Sequence, residues 1–440
     1  MTTRFLPLYQ QKLLSAGAAA ALIPSAAKVV MGLGAAQPPA LLNALAARAR
    51  AGDIDDVQLY YMLSEAVAGG SVLDDDLFGR ITPFSFFHSA AERALDVKRA
   101  AASRPPVDFI PAHFSDIPGV MCHQAGVDTL LTTVSPMDDE GYFSLGTNTD
   151  YAMAVAASGA RLILEVNRYM PRVLGNCRIH ISQVTALTEH HEPLTELPQA
   201  PRSAVDDAIG AVIAGMIRDG ACLQMGIGAL PDAVCAALKD HRHLGVHTEM
   251  MTGGLARLMQ AGVIDNSRKQ NHTGRSVFSF AMGDQAFYDF LHENPALEAQ
   301  PVEYVNNPAV IGMNDNVVSV NATLEVDLYG ACNSEFIHGR QFSATGGQLD
   351  FVRGAHVSRG GISIIACHST AARGTVSRIV PQLSGPVTTP RNDTHVIVTE
   401  YGYADLKGRS VRDRARALIN IAHPDFRESL ERSAYGQGIL

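Results

Sequence analysis

The chain has 440 residues, of which 47% are apolar and 18% charged, so it can bury the cores of two globular domains and is not a disordered protein. Its formal net charge of −9 argues against nucleic acid as a partner, because phosphate binding needs clustered Lys and Arg. The six cysteines form no CxxC pair and no cluster with histidines, which favours a reducing compartment and argues against a metal site.

The apolar run from Ala18 to Ala36 is the first notable feature along the chain. It contains Pro24 and Lys28 and is interrupted by glycines, so it is a poor candidate for a membrane span. No acidic residue precedes Asp53, which resembles an acid-poor transit peptide, but the run continues directly into a strand-like segment, Lys28 to Met31. We therefore predict a soluble, cytoplasmic protein without a membrane partner.

An internal repeat organises the rest of the sequence. Residues 31–35 read Met-Gly-Leu-Gly-Ala and residues 225–229 read Met-Gly-Ile-Gly-Ala, and each copy follows a short apolar run and precedes a proline and an Ala/Leu-rich run. Both copies predict a strand, a glycine turn and a helix whose free N-terminal amides can bind an anion. The repeat predicts two related α/β domains, residues 1–197 and 198–440, with the seam in the Pro/Glu-rich segment 192–202.

The remaining segments alternate between strand and helix patterns. Short β-branched runs predict buried strands, and Ala/Leu-rich runs predict helices. We expect strands at Arg161–Val166, Val317–Val320, Gly361–Ala366 and His395–Thr399, and helices at Pro38–Ala51, Ala204–Arg218, Asp232–Leu238 and Val411–Ile421. This alternation predicts the α/β class, with two open α/β domains, and disfavours all-α and all-β folds.

Three segments carry candidate functional residues. Glu249 lies between an apolar approach and the pair Gly253-Gly254, and that segment alone suits an ordinary surface glutamate as well as an acid that faces a cleft. Gly346 and Gly347 could present amide donors, although Gly-Gly more commonly forms a tight turn. Asn321 follows a strand-like run, where an asparagine more often caps a turn than donates to an oxyanion.

Other catalytic chemistries lack their motifs. Neither the Gly-x-Ser-x-Gly of serine hydrolases, nor the Walker phosphate loop, nor His-Glu-x-x-His occurs in the sequence. Both glycine turns of the repeat also lack the third glycine of a dinucleotide fingerprint, which leaves NAD binding a weak alternative.

Ordered motifs run along nearly the whole chain. They include Gly141-Tyr-Phe-Ser-Leu-Gly146, Val166-Asn-Arg-Tyr-Met-Pro-Arg172, Leu223-Gln-Met-Gly-Ile-Gly-Ala-Leu-Pro231, His247-Thr-Glu-Met250, Asn321-Ala-Thr-Leu-Glu-Val-Asp327 and Gly346-Gly-Gln-Leu-Asp-Phe351. In these motifs the sequence closely resembles the acetyl-CoA hydrolase/transferase family of class I CoA-transferases. The resemblance is greatest to the branch of 4-hydroxybutyrate and butyryl-CoA:acetate CoA-transferases.

The resemblance implies that Glu249 is the catalytic nucleophile and that Asn321 is a side-chain donor to an oxyanion. The residues that it implies for CoA binding are Gly226, Ile227, Gly228, Ala229, Leu230, Gly346 and Gly347. One departure from the family pattern follows the catalytic motif, where relatives commonly have Ser-Asp-Gly and this chain has Thr252-Gly253-Gly254. The shape and polarity of the substrate pocket are therefore expected to differ.

The implied reaction transfers CoA between an acyl-CoA, expected to be acetyl-CoA, and a short-chain carboxylate such as butyrate or 4-hydroxybutyrate, through a glutamyl-CoA thioester. It needs no metal and no cofactor, since CoA is a substrate. We expect Glu249 to be partly buried near a cleft between the two halves, and a homodimer or larger homo-oligomer. The alternatives are an acyl-CoA hydrolase on the same fold and a catalytically silent CoA-binding protein.

Overall fold

The computed structural model describes residues 4–198 and 201–440. Its α-helices are α1 Leu6–Lys12, α2 Ala16–Ala20, α3 Pro39–Ala51, α4 Ala66–Gly69, α5 Ala90–Ala101, α6 Ile117–Gly119, α7 Asp150–Ala157, α8 Ala204–Ala214, α9 Ala229–Ala237, α10 Gly253–Gln260, α11 Gln285–Leu291, α12 Val302–Val305, α13 Pro308–Ile311, α14 Gln348–Val357, α15 Val411–Asn420 and α16 Pro424–Gly436. Within the described residues, every helix is too short or too polar to cross a bilayer.

The strands are β1 Lys28–Met31, β2 Val57–Tyr61, β3 Ile81–Ser85, β4 Asp108–Phe109, β5 Thr129–Val134, β6 Tyr142–Ser144, β7 Arg161–Val166, β8 Arg178–His180, β9 Ala186–Glu189, β10 Cys222–Met225, β11 Gly245–Met251, β12 Ser276–Ala281, β13 Leu297–Ala299, β14 Val317–Ala322, β15 Glu325–Asp327, β16 Cys332–Asn333, β17 Phe336–Ile337, β18 Arg340–Gln341, β19 Ile362–Ala366, β20 Thr370–Ala371, β21 Val376–Ser377, β22 Ile379–Val380, β23 Val396–Thr399 and β24 Gly402–Asp405. Strands and helices alternate, and the predicted α/β class is confirmed.

Contacts within the chain divide it into two compact units, which are Met1–Leu197 with Phe278–Tyr304, and Pro198–Val277 with Val305–Leu440. The predicted boundary after residue 197 coincides with the first division. The sequence analysis placed Phe278–Tyr304 in the second domain, whereas the contacts group it with the first. The reason is non-local hydrogen bonding, since Thr149 N donates to Ser279 O and Asn176 N donates to Ala299 O.

The first unit is built on a parallel sheet with the strand order β4-β3-β2-β1-β5-β7-β9. Five of the six residues of β7 are buried, because a parallel sheet is covered by helices on both faces. That double coverage explains why the strand reads as a nearly continuous apolar run. The core beneath α3 includes Leu41, Leu45 and Val29.

The sheet of the second unit repeats this arrangement. Its strands β11-β10-β14-β19-β23 are parallel, and β24 is antiparallel to β23. The order matches β2-β1-β5-β7-β9 of the first unit, with β10 in the place of β1. Each of these two central strands runs into its glycine turn and then into a helix, α3 or α9. The related halves that the repeat predicted are therefore confirmed.

Most predicted element boundaries agree with the structure within one or two residues. Two helices, α9 and α8, differ by more. Helix α9 begins at Ala229, three residues before the predicted start. Its first turn contains Pro231, and proline is tolerated there because the first amides of a helix have no carbonyl partner within it. Helix α8 ends at Ala214 and not at Arg218, since the chain turns at Gly215.

Candidate active site

The topology of the second unit marks one edge of its sheet as a ligand site. From β10 the chain crosses through α9 to β11 on one side, and from β14 it crosses through α14 to β19 on the other. Because such crossovers are right-handed, α9 and α14 lie on opposite faces of the sheet. Ligands of open α/β sheets bind where the connections diverge in this way, here at the carboxyl ends of β10 and β14.

Glu249 lies near the carboxyl end of β11, beside this point of divergence. Its side chain is partly buried, as predicted. The Nδ2 of Asn306 donates a 2.8 Å hydrogen bond to its Oε2, and the backbone amide of Gly347 donates to the same carboxylate. One carboxylate thus faces a side-chain amide and a backbone amide, which is the donor pair that an oxyanion requires.

The pKa of Glu249 is raised to about 7, mainly because the carboxylate is buried and also because Asp350 lies nearby, and the hydrogen bonds from Asn306 and Gly347 limit this rise. Asn306 also donates to Asp350 Oδ2 at 3.3 Å, so its amide bridges the two carboxylates. A carboxylate with a pKa near 7 is ionised in a substantial fraction and is less stabilised by solvent than an exposed one. It is therefore suited to act as a nucleophile at neutral pH.

Gly347 is required by this close approach. It precedes α14, and a Cβ at this position would overlap both the Oε2 of Glu249 and the Nδ2 of Asn306. Its φ of −96° is one that any residue can adopt, so the need for glycine comes from space and not from backbone conformation. Its neighbour Gly346 has a φ of +54°, a backbone conformation that favours glycine.

A buried histidine on the same strand holds the segment that carries Asn306. The Nε2 of His247 donates to the carbonyl oxygen of Val305 at 2.8 Å, next to Asn306 in sequence. Burial lowers the pKa of His247 to about 3, so this ring stays neutral and its hydrogen bond persists at all physiological pH values. His247 and Glu249 are two residues apart on β11 and therefore face the same side of the sheet.

The glycine turn after β10 is open. Ile227 at its tip is 47% exposed, and no other described residue would lie within 4 Å of a Cβ at Gly228. Gly228 has a φ of +110° and immediately precedes α9, whose N-terminus has no side-chain cap. The amides of Ala229 and Leu230, in the first turn of α9, are thus available to a ligand.

The corresponding turn after β1 is closed, although its sequence is nearly the same. A Cβ at Gly34 would lie 2.6 Å from the Sδ of Met282, and residues 31–38 are all buried. The N-terminus of α3 is already occupied by a carboxyl group of the protein, because Glu165 Oε2 accepts from Leu41 N at 3.0 Å. Only the second copy of the repeat presents an open turn among the described residues.

Asn321 lies at the same edge but has other partners. Leu223 of β10 pairs with Val246 of β11, so in the same register Gly226 lies opposite Glu249. The register between β10 and β14 likewise places Gly226 opposite Asn321. Asn321 is thus two strands, or about 10 Å, from Glu249. Its Nδ2 donates to the side chains of Gln224 and Ser319, at 3.2 and 2.9 Å. The donor that contacts Glu249 is Asn306.

Comparison with known proteins identifies the family to which the chain belongs. The model of the acetyl-CoA hydrolase/transferase N-terminal domain matches residues 6–197, and that of the corresponding C-terminal domain matches residues 283–434. A 4-hydroxybutyrate coenzyme A transferase of Clostridium kluyveri is 43% identical over 429 residues, which are 96% of this chain and 97% of the relative. The chain belongs to the acetyl-CoA hydrolase/transferase family.

Two further proteins extend the comparison. A succinyl-CoA:cyclohexane-1-carboxylate CoA transferase of Geobacter metallireducens is 42% identical over 431 residues, covering 97% of this chain and 95% of the relative. The crystal structure of RipA from Yersinia pestis superimposes with a TM-score of 0.96 and is 51% identical, covering 99% of both chains. The family and its fold therefore extend over the whole chain.

Sequence reasoning missed two residues of the group around Glu249, Asn306 and Asp350. Asn306 is separated from Glu249 by 57 positions and lies between two short helices, so no local pattern joins the two residues. The available signal for Asp350 was its place in the motif that begins at Gly346. Gly253, which the sequence analysis singled out as a departure from the family pattern, leaves room for a side chain, because a Cβ there would meet only Arg257 Nη1, at 3.4 Å.

Proposed function

We propose that the protein is a CoA-transferase in which Glu249 exchanges CoA between an acyl-CoA and a carboxylate. The observation that carries this proposal is the carboxylate of Glu249, held by Asn306 and Gly347 beside an open glycine turn. Relatives named as CoA transferases that match nearly the full length of the chain support it.

In the first half-reaction, the ionised carboxylate of Glu249 attacks the thioester carbonyl of the acyl-CoA. The tetrahedral intermediate collapses with loss of the CoA thiolate and leaves a mixed anhydride between the acyl group and Glu249. The thiolate then attacks the glutamyl carbonyl and displaces the carboxylate of the donor. The product is a glutamyl-CoA thioester, and no proton, electron or external reagent is consumed.

In the second half-reaction, the acceptor carboxylate attacks the glutamyl-CoA thioester and displaces the CoA thiolate. The thiolate attacks the acyl carbonyl of the new anhydride, which forms the product thioester and regenerates the carboxylate of Glu249. Each half contains tetrahedral oxyanions, and preorganised donors are the main protein contribution to such steps. A thioester is exchanged for a thioester, so the reaction is close to thermoneutral.

We assign the oxyanion donors to the Nδ2 of Asn306 and the backbone amide of Gly347. Both already contact the carboxylate that becomes the reacting carbonyl group. The role that the sequence analysis gave to Asn321 stays a prediction, and its amide hydrogens are engaged by Gln224 and Ser319. Asn321 lies beside the open turn, where we propose that it supports the shape of the CoA site.

For the substrates, we propose acetyl-CoA as one thioester and a short-chain acid such as butyrate or 4-hydroxybutyrate as the carboxylate. The name of the relative from Clostridium kluyveri supports 4-hydroxybutyrate. Acetyl-CoA hydrolysis is the second candidate, because the family includes hydrolases and the side chain of Glu249 is only partly buried. In that reaction water would resolve the glutamyl-CoA thioester in place of the acceptor acid.

Steady-state kinetics with acetyl-CoA and a series of short-chain acids distinguish the two reactions. A transferase gives ping-pong kinetics, with parallel double-reciprocal lines and one new acyl-CoA for each acetate released. A hydrolase releases CoA at a rate that does not depend on the acid. Glu249→Gln should abolish both reactions, and a Gln variant with native exchange activity would refute the role of Glu249.

A further inference from the structure

The carboxamide of Asn306 is held in one of its two possible orientations. Its oxygen and nitrogen are nearly equal in size, so a half-turn of the amide would exchange Oδ1 and Nδ2 in the same space. The Nδ2 donates to Glu249 Oε2 at 2.8 Å and to Asp350 Oδ2 at 3.3 Å. Because both acceptors are carboxyl oxygens, only the nitrogen suits this position.

The oxygen of the same amide does not favour this orientation. Asn306 is fully buried, and within the described residues its Oδ1 has no hydrogen-bond donor. A buried acceptor without a donor is unfavourable. The carboxyl groups of Glu249 and Asp350 therefore determine which atom of the amide faces the site.

These two carboxyl groups differ during the proposed reaction. In the mixed anhydride and in the glutamyl-CoA thioester, Glu249 is a neutral acyl group, and its oxygen attracts Nδ2 less strongly than a carboxylate does. Asp350 takes no part in the bond changes and keeps its charge. In both intermediates, Asp350 is thus the carboxylate that attracts Nδ2 to the side of the glutamyl carbonyl.

The position of Asp350 in α14 suits this task. It lies in the first turn of the helix, where the free amides stabilise an anion, and only 6% of the residue is exposed. The helix begins directly after Gly347, whose amide also donates to Glu249. One helix start therefore supplies a donor to Glu249 and the carboxylate that faces the second donor, Asn306.

Electrostatic repulsion alone would disfavour a carboxylate at this point. The charge of Asp350 contributes to the raised pKa of Glu249, and the same repulsion opposes an oxyanion on the glutamyl carbonyl. Stabilising a helix start does not require a buried acid either, since Asp413, at the same position of α15, is exposed. The orientation of Asn306 accounts for a buried acid beside the nucleophile.

We propose that Asp350 is a positioning residue that keeps the Nδ2 of Asn306 directed at the glutamyl carbonyl while Glu249 carries no charge. Its favourable effect on the reaction acts through Asn306. The inference rests on the proposed function, because it concerns the glutamyl intermediates of that mechanism. The contacts among the three side chains do not depend on that function.

A double-mutant cycle with Asp350→Asn and Asn306→Ala tests the inference on the full-length protein. The quantity is the kcat of CoA exchange on the plateau of each pH profile, where Glu249 is ionised in every variant. Asparagine at position 350 can both accept and donate, so it permits either orientation of Asn306. Because a donor that is misoriented for part of the time is lost only in part, Asp350→Asn should lower kcat about tenfold. In the Asn306→Ala background it should not lower kcat.

Asp413→Asn is the matched control, because it removes an acid from the same position of α15 and should keep native kcat. Thermal unfolding of every variant separates a loss of folding from a loss of catalysis. If Asp350→Asn does not fold, Asp350→Ala serves in the same cycle, since it also leaves the orientation of Asn306 unspecified.

Similar losses of kcat in both backgrounds would overturn the inference, because a structural effect of Asp350 does not depend on Asn306. A raised kcat in Asp350→Asn would also overturn it, since repulsion of the oxyanion would then be the larger effect. Similar losses together with an inactive Glu249→Gln would refute this inference alone. Native exchange in Glu249→Gln would refute the proposed function.

Discussion

Replacing Gly347 with alanine perturbs the site at its most crowded point. A Cβ would overlap Glu249 Oε2 and lie 3.0 Å from the carboxyl carbon, whereas ordinary contacts between carbon atoms are about 3.5 to 4.0 Å. The backbone conformation suits alanine, so the fold should be retained and the carboxylate displaced. A displacement of about 1 Å can lower a rate about 100-fold, which corresponds to about 2.7 kcal/mol of transition-state stabilisation.

The assay is the kcat of CoA exchange between acetyl-CoA and butyrate, with thermal unfolding of the same samples to verify folding. Gly436→Ala is the matched control, because no described residue lies within 4 Å of a Cβ at that position near the end of α16. We expect Gly347→Ala to lose about 100-fold in kcat and the control to keep it. Native kcat in Gly347→Ala would refute the close contact between Gly347 and Glu249 as a feature of the active enzyme.

Three further predictions concern the site and its closed counterpart. Only the ionised form of Glu249 attacks and its pKa is about 7, so kcat/KM should rise with pH up to about 7 and then stay constant. Asp350→Asn removes a negative charge near Glu249 and should shift this rise to lower pH. If the pH profile does not shift, a group other than Glu249 causes the loss of activity at low pH. Asn306→Ala should lower kcat on the order of 100-fold or more, whereas Asn321→Ala should lower kcat less than about tenfold. A larger loss of kcat in Asn321→Ala than in Asn306→Ala would show that Asn321 is the oxyanion donor. Glu165→Ala removes an acceptor at the N-terminus of α3 and should lower the free energy of unfolding by about 1 to 3 kcal/mol in a denaturant titration. Glu165→Gln keeps an acceptor and should lower the free energy of unfolding by less. Equal losses in the two variants would show that the acceptor oxygen does not stabilise the helix.

Local patterns predicted the α/β class and the two related halves, but not the grouping of Phe278–Tyr304 with the first unit. The two Met-Gly-x-Gly-Ala segments predicted two related halves, because each segment joins a buried strand to a turn that glycine permits. The strand and the turn are both local properties of the sequence. The strand Arg161–Val166 was predicted residue for residue, since a fully buried parallel strand has a distinctive composition. The start of α9 was placed too late because Pro231 resembles a helix boundary, although it lies inside the first turn.

The composition of the site depends on contacts that no local pattern encodes. Glu249 could be predicted through its motif, but its donor Asn306 joins it only after the segment following α12 has packed against β11. Tertiary contacts likewise determine why the turn at Gly228 is open and the turn at Gly34 is closed. Met282 and Glu165 come from distant parts of the first unit and close that turn, and the sequences of the two turns do not show it.

The most direct test of the mechanism is to measure the mass of the peptide that contains Glu249 after the enzyme has been incubated with its substrate. The protein is incubated with acetyl-CoA and treated with sodium borohydride, which reduces a thioester to an alcohol but leaves a free carboxylate intact, and the peptide across His247 to Leu255 is then mapped. We predict a reduced side chain at Glu249 that requires acetyl-CoA. An unmodified Glu249 in a sample that has consumed acetyl-CoA would contradict the glutamyl-CoA intermediate.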